Sequence, residues 1–101
     1  MEITVKHKLS FQEAISRMKD LEQRLKQEYK DELQQVEVNW NDNRADVILK
    51  AMGMKAKGYM LVEEDRIYMN IKLPLILSTF KTELQNEIVK VLNEILDDRK
   101  Q

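Results

Sequence analysis

The sequence predicts an α+β fold of order β-α-β-β-β-β-α, an antiparallel sheet with two amphipathic helices packed on one face. Three observations carry that expectation. Apolar residues alternate with a period of two at the start of the chain and again over four consecutive segments from Val36 to Leu73. Between these regions, and again after Pro74, the period changes to 3.6. The turns between the four segments are short, which makes an antiparallel meander, and two amphipathic helices must bury their stripes against one of its faces.

Ile3 and Val5 alternate with Glu2, Thr4 and Lys6 and read as a short half-buried strand. Ser10 and Glu13 then have the spacing of a capping box, so a helix starts at Phe11. Phe11, Ala14, Ile15, Met18, Leu21 and Leu25 share one face of it, and the helix should end between Tyr29 and Leu33. Val36, Val38 and Trp40 form the second strand, with Trp40 on the apolar side. Asn41, Asp42 and Asn43 supply turn chemistry, because Asn and Asp tolerate left-handed backbone. Arg44 to Met52 is the third strand. Gly53 and Gly58 bracket a hairpin connection, or a bulge plus a turn. Met60 and Val62 lie on the fourth strand, and Glu63, Glu64 and Asp65 on a charged turn. Ile67, Met69, Ile71 and Leu73 mark the fifth strand, which Pro74 ends. The second helix begins near Ser78 and carries Phe80, Leu84, Ile88, Val91, Leu92 and Ile95 on its apolar stripe. The first strand is expected beside the last strand of the meander.

The chain has 101 residues, enough for one domain over 1–101, with a tail at 97–101 that should fray. Its 17 Lys and Arg against 18 Asp and Glu, spread evenly, argue against a nucleic-acid binder and against a polybasic membrane anchor. There is no cysteine, which excludes disulfides, zinc-thiolate sites and thiol catalysis. No apolar run has the length of a membrane span and the first residues do not read as a signal peptide, so a cytoplasmic protein is expected.

Few residues invite chemistry. The single histidine, His7, continues the inward parity of Ile3 and Val5. It is read as a hydrogen-bonded inward or edge residue rather than a proton-transfer group, since no orienting partner is identifiable. Glu63, Glu64 and Asp65 lack the pattern of a calcium loop. No nucleophile elbow, zinc helix or phosphate loop occurs, and two glycines cannot build a phosphate cradle. No enzyme, metal or cofactor is therefore expected. Lys50, Lys55 and Lys57 cluster near the glycines, as a solvated strand end or as a contact for phosphate, an anionic surface or a partner. Six methionines are many for this length; they fill a core or offer an adaptable apolar surface. Leu75, Ile76, Leu77 and Phe80 give the segment after Pro74 more apolar atoms than one helix stripe needs. Core packing, a pocket mouth, a dimer contact and a lipid-like surface all fit that excess.

Together, His7 and Leu9 ahead of a helix, Ala14 and Arg17 within it, Trp40 opening the meander, Gly53 and Gly58, Leu73 before the apolar break, and Lys81, Ile88 and Leu92 in the last helix resemble the polyhydroxyalkanoic acid system family. The resemblance covers about residues 5–96. Two features depart from the family pattern: the first helix and its exit through Asp31 to Gln35 are longer, and the Leu-Pro-Leu-Ile-Leu break stands where a glycine-containing segment is expected. The resemblance implies a small non-enzymatic accessory of bacterial polyester granules. It also implies an element order similar to a reduced helix-grip fold, in which a curved sheet holds a long C-terminal helix. On this reading Leu75, Ile76, Leu77 and Phe80, rimmed by Lys55 and Lys57, meet a granule surface or a protein partner. The alternative is a carrier for an apolar or acyl small molecule lined by Trp40, Met60, Met69 and Phe80. A homodimer is compatible with either.

Overall fold

Alternating side chains decide which face of each strand is wet, and in the computed structural model, which describes residues 1–97, the strands alternate between buried and more exposed positions, except in the half-buried second half of the third strand. Five strands form: β1 (Glu2–Lys6), β2 (Gln35–Asn41), β3 (Arg44–Ala51), β4 (Met54–Val62) and β5 (Arg66–Lys72). They make one antiparallel sheet of order β1-β5-β4-β3-β2, so the first strand lies beside the last strand of the meander, as expected. Ile3 and Val5, Val36 and Val38, Ala45 and Val47, Ala56, Met60 and Val62, and Ile67, Met69 and Ile71 are the buried inward set. Ala14, Met18, Leu21, Val91, Leu92 and Leu96 close the core from the helical side.

Register fixes the turns. Asn41 pairs with Arg44, leaving Asp42 and Asn43 as the β2–β3 turn, with Asp42 in left-handed backbone at φ +56°. Ala51 pairs with Met54, so Met52 (φ +55°) and Gly53 (φ +77°) form the β3–β4 turn. Glu63 donates its N–H to the Arg66 carbonyl at 2.8 Å across the β4–β5 turn. The two glycines therefore do not bracket one connection. Gly58 lies inside β4, between Val47 and Ile71, and is there because the neighbouring strand comes too close for a side chain. A Cβ at Gly58 would stand 2.1 Å from the Asn70 carbonyl oxygen and 2.8 Å from Ile71 Cα.

The first helical region is divided in two, α1 (Phe11–Met18) and α2 (Leu21–Glu28). Ser10 caps α1 by accepting the Glu13 N–H at 3.1 Å. The Glu13 carboxylate pairs with Arg17 at 3.0 Å instead of turning back to complete the box. At Lys19 and Asp20 the backbone stays helical, but Asp20 N–H bonds back only three residues, to Arg17 O. That tightened turn divides the helical region into two segments. It lets α1 pack against the last helix and β4 while α2 packs against β2.

A 3-10 turn (Leu77–Phe80) leads into α3 (Lys81–Leu96), which packs against α1 and β1. Polar ties bind the helical layer. Arg17 Nη1 donates to the Asp97 carbonyl at 2.8 Å, Arg24 bridges Glu28 and Glu94, and the Tyr29 hydroxyl donates to Glu87 Oε1 at 2.9 Å. Of the expected frayed tail, residues 98–101 lie outside the described residues.

Two predictions follow from this packing. Gly58→Ala should lower stability by about 3 kcal/mol or more in urea denaturation, since backbone rather than a movable side chain must give way. Desolvation, with help from the bond to Glu87, raises the Tyr29 pKa to about 12 from an ordinary 10. Its protonated form stabilises the fold fully below pH 10, and that contribution is lost as pH rises toward 12. The stability difference between wild type and Tyr29→Phe should therefore shrink over that window.

Candidate functional site

β4 and β5 run antiparallel, so β5 returns to the end of the sheet where β4 began, and the Met52–Gly53 turn and the exit of β5 share that end. Leu73 and Pro74 leave the sheet there. Proline has no N–H to extend a ladder, and the chain rolls into a tight turn. Ser78 N–H donates to the Pro74 carbonyl at 3.1 Å, Ser78 Oγ donates to Leu75 O, and Thr79 Oγ1 donates to Ile76 O at 3.0 Å. These local bonds leave no freedom to turn all four apolar side chains inward. Leu77 enters the core at 7% exposure, whereas Leu75, Ile76 and Phe80 stay 87%, 63% and 44% exposed. Met52, 68% exposed on the adjoining turn, joins them. Leu77 thus separates from the other three residues grouped with it on sequence, and Met52 replaces it.

Lys55 and Lys57 project from the outer face of β4 at this same end. Register places Lys50 of β3 directly opposite Lys55, and Lys72 of β5 directly opposite Lys57. Like charges facing each other across strands cost stability, and none of the four forms an ion pair with a described residue. Sequence reading missed Lys72 because only pairing register reveals its neighbour. It missed Met52 as a tip residue because strand parity ran through it.

The row Trp40, Ala45, Met60, Met69 does run across β2, β3, β4 and β5 as successive register partners. Met60 and Met69 are buried there, Trp40 is half-buried, and Phe80 stands apart on the connection before α3. A small cleft of about 60 Å³ lies elsewhere, between the sheet and α3. Its walls are apolar, including Leu49, Ala51, Met54, Leu73, Leu77, Leu84 and Ile88.

His7 is buried and fully engaged. Its Nε2 lies 2.9 Å from the Glu63 carbonyl oxygen, and Nδ1 accepts the Leu9 N–H at 3.2 Å. The tautomer that satisfies both carries its proton on Nε2. The His7 backbone N–H also donates to Asp65 O at 2.9 Å. The residue thus ties the end of β1 to the β4–β5 turn, and its bond to Leu9 sets the entry into α1. An open depression of about 430 Å³ beside it is lined by Lys6, Lys8, Asn93 and Glu94 among others.

Fold and site together define a small α+β protein whose sheet is covered on one face and whose aliphatic side chains are exposed at one end. Residues 1–96 match the family described as "Putative polyhydroxyalkanoic acid system protein", and the chain belongs to that family. No curated protein and no solved structure matches it. Among the described residues no helix is long and apolar enough to cross a membrane.

His7→Ala should destabilise the protein by about 2 kcal/mol, because it strands a carbonyl and an N–H near the core. A change in the urea midpoint worth less than about 0.5 kcal/mol would contradict the structural role assigned to His7.

Proposed function

We propose that the protein is a non-enzymatic accessory of polyester granules that works in the cytoplasm by attaching to a granule surface through the tip formed by Met52, Leu75, Ile76 and Phe80. The family supports a place in the polyhydroxyalkanoate system. The observation that carries the attachment is that the exposed large apolar side chains among the described residues gather at one end. Leu75 and Ile76 lie exposed on a turn closed by its own hydrogen bonds. Full burial of a Leu or Ile side chain contributes roughly 1.5–3 kcal/mol, so these side chains supply an apolar part of a reversible attachment rather than a permanent anchor. A catalytic role has no comparable support, since the one histidine already uses both ring nitrogens.

Co-sedimentation with purified polyester granules tests this. Wild type should pellet, and Leu75→Ser combined with Ile76→Ser should pellet at least about tenfold less at an unchanged thermal midpoint, since both side chains are already in water. Equal pelleting of the two proteins contradicts the assignment. A second reading, carriage of an apolar or acyl small molecule, is favoured by the cleft of about 60 Å³ with its apolar walls. In its present size that cleft admits a chain end rather than a whole chain. Native mass spectrometry of the protein incubated with a medium-chain acyl compound, then stripped of free ligand, tests it. Retention of one equivalent supports carriage, and none retained opposes it.

A further inference from the structure

We propose that the surface met by the tip is anionic and lipid-like, and that Lys50, Lys55, Lys57 and Lys72 orient the protein on it with the outer sheet face leaning toward the charged layer. This deepens the attachment reading above and rests on it.

Two independent observations support the inference. The first is electrostatic. The cross-strand pairs Lys50–Lys55 and Lys57–Lys72 place four ammonium groups on adjacent register positions at the tip end. β3, β4 and β5 carry no acidic side chain on the outer face at that end; Asp46 lies further along β3, held by Arg44. Glu37 on β2 and Glu2 on β1 flank the patch, each accepting from a neighbour on its own face, Gln35 and Tyr68 respectively. Asp31 and Glu32 belong to the connection from the helical layer, so the basic side of the tip is the sheet side. A chain of net charge −1 has thus concentrated in one place four lysines that form no ion pair with a described residue, at a cost in repulsion.

The second is conformational. Met52 occupies the first position of a two-residue turn at φ +55°, followed by Gly53 at φ +77°. Both central residues are left-handed, the condition of the turn that most favours Asn-Gly. A long unbranched apolar residue there is unfavourable twice, in backbone conformation and in exposure to water. Strain of this kind is characteristic of positions kept for contact rather than for folding. The exposed tip side chains are mostly aliphatic (Met52, Leu75, Ile76), which suits hydrocarbon; a nucleic acid would call for stacking rings instead. Lysines beside aliphatic side chains match an interface with charge outside and hydrocarbon within.

The test uses the full chain and vesicles of phosphatidylcholine, with or without phosphatidylglycerol, in a sedimentation assay. Binding should be at least about tenfold stronger to the anionic vesicles and should weaken with added salt. Lys55→Gln, Lys57→Gln and Lys72→Gln combined should lower that affinity by about a hundredfold, near fivefold per lysine, without lowering the thermal midpoint. Met52→Asn separates contact from folding: it should raise the urea midpoint while weakening vesicle binding several-fold. Equal affinity for neutral vesicles, or wild-type binding by the triple lysine variant, overturns the proposal. So does lysine-dependent binding to a DNA duplex without vesicle binding. Granule pelleting that persists while lysine and salt dependence are absent leaves the attachment reading intact and removes this one alone.

Discussion

The structure depends on one constraint: a five-stranded antiparallel sheet has a single helical layer to bury it. Inward positions on every strand must therefore be apolar and outward ones must tolerate water, which is the alternation the strands show. Because strand side chains repeat every two residues, a one-residue slip would turn each buried set into solvent. The short turns, the close approach at Gly58 and the tie from His7 to the β4–β5 turn all hold that register. The helical layer is fixed in turn by its own polar ties, Arg17 to Asp97, Arg24 to Glu28 and Glu94, and Tyr29 to Glu87.

The same constraint produces the tip. The chain must pass from the sheet layer to the helical layer after β5, and Pro74 forces it to leave the ladder at once. The hydrogen-bonded turn that makes the crossing can point one apolar side chain, Leu77, into the core. Leu75, Ile76 and Phe80 are left outside, beside a turn that already displays Met52. The uncovered outer face contributes lysines at the same end. An aliphatic tip with a basic flank is thus a consequence of topology combined with side-chain choice, and the choice is what requires a functional explanation. Polar residues at Met52, Leu75 and Ile76 would serve the fold as well.

Much of this was legible in the sequence. Periodicity located all five strands and both helical regions, because one-sided burial writes a period of two or 3.6 directly into the residues; the order of the meander followed from its short turns, and the place of β1 beside β5 was an expectation that the pattern alone does not prove. The Ser10 cap was legible for the same reason, being a local bond between near neighbours. The break at Lys19 and Asp20 was not, because Met18 and Leu21 stay on one stripe whether or not the helix is interrupted between them. Gly58 was misplaced because its reason is a neighbouring strand, not its own segment. At the tip, the excess of apolar atoms after Pro74 was visible, but which of them turned inward depended on the hydrogen bonds of the crossing. Lys72 and Met52 became neighbours of the set only through register, a property of pairs of strands rather than of either one.

Attachment through the tip is the central claim, and amide hydrogen exchange of the protein with and without polyester granules tests it most directly. The account predicts slowed exchange confined to residues 50–57 and 72–81, with α1, α2 and the β2 edge unchanged. Protection centred on β2 or on the α1–α2 surface, or none at saturating granules, would contradict it.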